Sequence, residues 1–189
     1  MPRLYLIRHG KPAASWGGHD DDPGLDETGK TQAEAARDFL MALPADEQPS
    51  RVVSSPLARC RETAEPTARA LGVEVEIDPG VGEIPTPANL AAADRGDWLK
   101  TAFQGAWADI QGDLDYDAWR REVAQALQAR GDTAVFSHFV AINAVVSCLT
   151  GDDRVVGFRP DHTSITVLET DGKTLTLVEK GREASTSVL

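Results

Sequence analysis

The chain has little cysteine, little positive charge and no long hydrophobic run. Only two cysteines occur in 189 residues, Cys60 and Cys148, far too few for a disulfide scaffold. Both fall at apolar positions of predicted helices, without metal-ligand or redox spacing, so two buried thiols are expected. Lysine and arginine total 19 against 30 acidic residues, a net charge of −11, which argues against nucleic acid, membrane surfaces or other polyanions as partners. No apolar run approaches the roughly 20 residues of a transmembrane helix, and residues 4–7 are too short for a signal-peptide core. A cytoplasmic location is the expectation that follows. With 41% hydrophobic and 26% charged residues, the chain has the composition of one globular domain with a proper core.

What is present is an alternation of strand and helix. Leu4-Tyr5-Leu6-Ile7 reads as a buried parallel strand, as do Arg51–Ser54 and Thr133–Ser137. A helix is predicted over 28–43, started by Asp26, Glu27 and Thr28, with Ala36, Phe39, Leu40 and Leu43 on its apolar face. A second begins with Ser55 as cap and Pro56 in its first turn, carries the stripe Leu57, Cys60, Ala64, Ala68 and Leu71, and stops at Gly72. Val73–Ile77 is a short strand, and Phe139–Leu149 an apolar helix. Thr163–Leu168 and Leu175–Val178 are strands joined through Asp171-Gly172, a hairpin signal. The pattern predicts a three-layer αβα fold: a mostly parallel sheet, helices on both faces and an antiparallel C-terminal hairpin. One domain is expected over 1–181, followed by a loose tail, 182–189. Within it, 84–130 is a helical insert holding three of the four tryptophans. There Leu99, Phe103, Trp107 and Ile110 recur at helical spacing, as do Tyr116, Trp119, Val123 and Leu127.

Three of the strands deliver a cationic or titratable side chain just past their C-terminal ends: Arg8 and His9, Arg59, and His138. Ligands of open α/β sheets gather at that rim. Two arginines and two histidines converging there make a trap for an oxyanion, and phosphate is the commonest dianion that needs one. The acidic run His19-Asp20-Asp21-Asp22 lies between Gly17-Gly18 and Pro23-Gly24, the composition of a solvated turn rather than a metal site.

These residues resemble the histidine phosphatase superfamily, its phosphoglycerate-mutase-like branch. The resemblance rests on Leu-Ile-Arg-His-Gly at 6–10, Leu25 to Gly29 with Gln32-Ala33, Ser54 to Arg59 with Thr63-Ala64, Glu83, and Ser137-His138. It implies that His9 takes up a phosphoryl group and that Arg8, Arg59 and protonated His138 hold its oxygens. Glu83 is then the general acid and base, with Glu74, Glu76 or Asp78 as alternatives. Ser15 stands where the family often has asparagine, and its hydroxyl is expected to donate to phosphate with a shorter reach. Phe139 stands where it often has glycine, and offers its backbone N–H to phosphate. His162 has no assigned role and is expected at the surface or behind the site. No metal and no cofactor are implied. The expected activity is hydrolysis of a small phosphomonoester; the alternatives are a mutase, a phosphohistidine protein phosphatase and an idle phosphate-binding module. Part of 84–107 is expected to be a substrate-selecting lid. Oligomeric state is not legible.

Overall fold

The computed structural model describes residues 1–14 and 22–185. The six strands β1 (Arg3–Arg8), β2 (Arg51–Ser54), β3 (Val75–Ile77), β4 (Thr133–Ser137), β5 (Ile165–Thr170) and β6 (Leu175–Glu179) form one sheet in the order β3-β2-β4-β1-β5-β6. The first four in that order run parallel, while β5 and β6 are antiparallel to their neighbours. The expected fold class is therefore the one observed. The strands β1, β2 and β4 are adjacent, so their C-terminal ends share one rim.

The central strands are apolar at nearly every position because both faces are covered. Leu4, Leu6, Val53 and Val135 point to the layer that contains α4 (Tyr116–Gln128) and α5 (Phe139–Thr150). Tyr5, Ile7, Val52, Ala134 and Phe136 point to the layer of α1 (Glu27–Met41) and α2 (Ala58–Leu71). Each such side chain, if fully buried, contributes about 1.5–3 kcal/mol. The hairpin turns at Gly172, whose φ of +87° suits glycine, and the Asp171 carboxylate accepts from the N–H groups of Lys173 and Thr174.

Two expectations near the helices need correction. Phe39 is 52% exposed rather than packed on the sheet, because α1 turns its Ala33, Ala36 and Leu40 inward instead. Ser55 and Pro56 lie before α2, not in it: Leu57 is the N-cap without a side-chain bond, and the Asp22 carboxylate reaches across to accept from the N–H of Ala58. Asp22 thus serves a helix start, while His19, Asp20 and Asp21 lie outside the described residues.

The insert also departs from its periodicity. Leu99, Phe103, Trp107 and Ile110 do not share a helix: α3 (Arg95–Ala102) ends, and Trp107–Asp109 is a separate 3₁₀ turn. The break comes from long-range pairing, in which Trp107 N–H donates to Asp153 O and Val155 N–H donates to Gly105 O. The four side chains still meet in one cluster with Ile84, Phe139 and Val140. The tail is anchored at its start, since Ala184 N–H donates to Arg159 O and the Arg182 guanidinium bonds Asp161. Residues 186–189 lie outside the described residues. Among the described residues no helix is long and apolar enough to cross a membrane. Cys60 is buried and Cys148 partly exposed, and both are free thiols.

Candidate active site

The loop after β1 is clamped between α1 and α2, which explains much of the sequence around it. Gly10 N–H donates to Thr63 Oγ1, Lys11 N–H to Gln32 Oε1, and Asp26 N–H to Lys11 O. Asp26 caps α1 by accepting from Gly29 N–H at 2.7 Å. The backbones touch here: a Cβ on Gly29 would sit 2.2 Å from Lys11 O, and one on Gly10 would sit 2.7 Å from Gly29 O. Both glycines are therefore required for close approach, and the start of α1 locks the position of His9.

The backbone of His9 donates to Ser137 O, tying the end of β1 to the end of β4. Its side chain is 97% shielded, and Nδ1 lies 2.8 Å from Gly10 O. A carbonyl accepts only, so Nδ1 carries the proton and Nε2 keeps a lone pair. Burial, followed by the charges of His138, Arg8 and Arg59, lowers the pKa of His9 well below its ordinary range. At neutral pH it is a neutral imidazole with its unprotonated Nε2 facing Arg59.

Arg59, in the first turn of α2, reaches both histidines: its Nε donates to His9 Nε2 at 3.3 Å, and Nη2 lies 3.3 Å from His138 Nδ1. His138 is fully buried at the junction of β4 and α5, with Nε2 2.8 Å from Ser55 Oγ. The Cys60 thiol lies 3.4 Å from the same nitrogen, and burial raises its pKa, so it stays a neutral thiol. Arg8 is buried with one donor on Pro160 O at 2.9 Å and Nε without a partner. Burial lowers its pKa to about 10, which leaves it charged at neutral pH.

Glu83 joins this group. Ser137 Oγ donates to Val81 O, and Val81 packs in the core, which fixes the segment leading to it. Its Oε1 accepts from Ile84 N–H, while buried Oε2 lies 3.4 Å from His138 Nδ1 and 3.6 Å from Arg59 Nη2 without a hydrogen bond. The other carboxylates considered are elsewhere: Glu76 pairs with Arg51 and Arg130, Asp78 with Arg130, and Glu74 is exposed. Ser15 lies outside the described residues. The Phe139 ring packs against Phe103, with the Arg8 guanidinium over it at 5.3 Å from the ring centroid. Its N–H opens the first turn of α5, where helix N–H groups lack helical acceptors.

Sequence reasoning missed Ser55 as a partner of His138, and it missed Arg95. The charge of Arg95 reaches Glu83, Arg59 and His138 from the start of α3, and its Nε bonds Thr86 Oγ1. No strand-end pattern marks it; only its place in the insert does.

His138 has a pKa near 4 instead of 6.5, through burial first; Glu83 opposes the shift and Arg59, Arg8 and Arg95 add to it. His162 is held near 4 likewise, through burial and then Arg8. For both, the folded value lies below the unfolded one, so the unfolded chain binds more protons between these limits and stability is lost as the pH falls through that range. A dianion bound beside His138 would favour its protonated imidazole and oppose the effect. The melting temperature is expected to drop between pH 6.5 and 4, and sulfate to offset much of that drop. A flat profile without anion would mean that these imidazoles are solvated.

A parallel-sheet rim carrying paired arginines, paired histidines and one buried carboxylate defines a class of α/β protein with a cationic site at its strand ends. Residues 4–182 match the histidine phosphatase superfamily (branch 1), and the chain belongs to that family. Among solved structures, it shares its fold with phosphoserine phosphatase from Entamoeba histolytica in complex with 3-phosphoglyceric acid (TM-score 0.75, 20% identity, 98% of each chain). It also shares it with mycobacterial glucosyl-3-phosphoglycerate phosphatase (TM-score 0.70, 22% identity, 98% of this chain and 100% of that one). Curated relatives match over shorter stretches. They include the transcription factor tau 55 kDa subunit of Saccharomyces cerevisiae, 34% identical over 42% of this chain, and a bifunctional protein of Mycobacterium tuberculosis, 35% identical over 55%. The matches span 20% and 26% of those two proteins.

Proposed function

We propose that this chain is a metal-independent phosphatase that hydrolyses a small phosphomonoester through a phosphohistidine on His9. The observation that carries the reading is the His9 ring itself, with Nδ1 bonded to Gly10 O and Nε2 turned towards Arg59. In the first step Nε2 attacks phosphorus, the bond to the ester oxygen breaks, and that oxygen takes a proton from Glu83. In the second step water attacks the phosphoryl group, gives a proton to the Glu83 carboxylate, and returns His9 as a neutral imidazole. Arg8, Arg59 and protonated His138 hold the equatorial oxygens throughout, a role that fixed cations fill without rearrangement. The α5 N-terminus adds the Phe139 N–H. Part of 84–107 acts as the substrate-selecting lid, with Arg95 as its charged element.

Phosphate release from an aryl phosphate, continuing in excess chelator, is the expected result. A strict need for a divalent metal, or no release at all, would reject the reading. Within it, Arg59→Lys and Arg59→Ala should both lower kcat/KM by about 10²–10³-fold, because an ammonium cannot span two oxygens as a guanidinium does. Near-normal turnover by the lysine variant would remove Arg59 from the phosphate grip.

A further inference from the structure

Two imidazoles flank His9, and the proposed reaction uses only one. His138 arrives from β4 with its ring centroid 5.3 Å from that of His9. His162 arrives from the other side of β1, ahead of β5, with its centroid 5.8 Å away and the planes tilted by 52°. It was expected at the surface or behind the site; it stands beside the nucleophile.

The local backbone is built to hold it there. Ser164 N–H closes the turn onto Asp161 O, His162 N–H bonds the Asp161 carboxylate, and Thr163 N–H bonds Arg8 O. Thr163 takes up this bond with φ at +54°, a left-handed conformation that a β-branched residue adopts at a cost of about 1–2 kcal/mol. Strain of this kind persists where the surroundings enforce it, commonly at functional sites.

The ring itself is half-buried, with the charges of Arg8, Asp161, Asp26 and Lys11 around it. Among the described residues, the hydrogen bonds of His162 all run through its backbone N–H and C=O. Among the described residues its two ring nitrogens thus form no hydrogen bond, although they sit beside the proposed anion trap. A neutral imidazole carries one N–H donor and one acceptor. On the other flank, the β2 and β4 side, Arg59 already supplies donors, one to each imidazole. The β5 side has buried Arg8 and this ring.

We propose that His162 is a substrate-contacting residue whose ring N–H donates to a phosphoryl oxygen on the β5 side of His9. The assignment rests on His9 being the phosphoryl acceptor. It makes the grip on phosphate two-sided, with a neutral donor facing the cationic pair across the nucleophile. A neutral donor on that side adds a hydrogen bond without adding to the repulsion among Arg8, Arg59 and His138.

Three variants of the full chain decide it: His162→Gln keeps a donor, His162→Phe keeps the ring volume without nitrogen, and His162→Ala keeps neither. Turnover of an aryl phosphate, competitive inhibition by inorganic phosphate and thermal midpoint are measured for each. The phenylalanine and alanine variants should lose about 10–100-fold in kcat/KM and bind inorganic phosphate more weakly, while glutamine recovers most of both. Midpoints of the glutamine and phenylalanine variants should match, so that packing does not explain the difference. Full activity and phosphate affinity in His162→Phe would overturn the proposal, as would a glutamine variant no better than phenylalanine. Rapid quenching of the unmutated protein with labelled substrate tests the underlying reading separately. Absence of label on His9 would remove the nucleophile, whereas the phosphate-inhibition series would still decide whether His162 contacts the anion.

Discussion

His9→Ala should abolish turnover, lowering it by at least about 10⁴-fold, because no neighbouring group can take the phosphoryl group in its place. The nearby Cys60 is a protonated, buried thiol, and Ser55 Oγ is engaged with His138. The fold should survive, since the His9 ring belongs to none of the three apolar clusters. Brief exposure of the unmutated protein to labelled substrate should leave an acid-labile phosphoryl group on His9, located by peptide mapping. Label on a serine, or substantial turnover by the alanine variant, would reject the covalent route.

Glu83→Gln should separate proton donation from binding. A general acid contributes in proportion to the basicity of the departing oxygen, so hydrolysis of an alkyl phosphate should fall by about 10²–10⁴-fold. Phosphoryl transfer to the protein from an aryl phosphate with an acidic phenol should fall far less. The amide is close in size to the carboxylate and keeps an oxygen for Ile84 N–H, so the segment that Ser137 anchors through Val81 stays in place. An equal drop on both esters would make Glu83 structural, and no drop on either would move the acid to another group.

The strand-end residues were legible because a charge directly after an apolar run has few explanations. Arg8, His9, Arg59, His138 and Glu83 are all brought together. Parallel pairing of β1 and β2 with β4 does the rest, and that pairing follows from runs apolar on both faces. The insert was less legible. Periodicity reported correctly that Leu99, Trp107 and Ile110 share a core, but not that bonds from Gly105 and Trp107 to residues 153–155 divide their helix. Such pairing is between segments distant in sequence and leaves no local pattern. Ser55 was misread for a related reason: a serine before a helix suggests a cap, yet its hydroxyl is taken by an imidazole 83 positions away. His162 carried no strand-end signal, since it precedes its strand.

Arg59 spans His9 and His138, so the proposed anion pocket is held together by contacts of its own. An incoming ligand has to evict those internal contacts before it gains any of its own. A chloride ion or a lone carboxylate offers one negative charge and too few acceptors to replace them on Arg59 and both imidazoles. On the proposed reading, a phosphoryl dianion replaces those contacts and favours a proton on His138. Under that reading, discrimination against small anions comes from the internal contacts that must be given up, as much as from those that are gained.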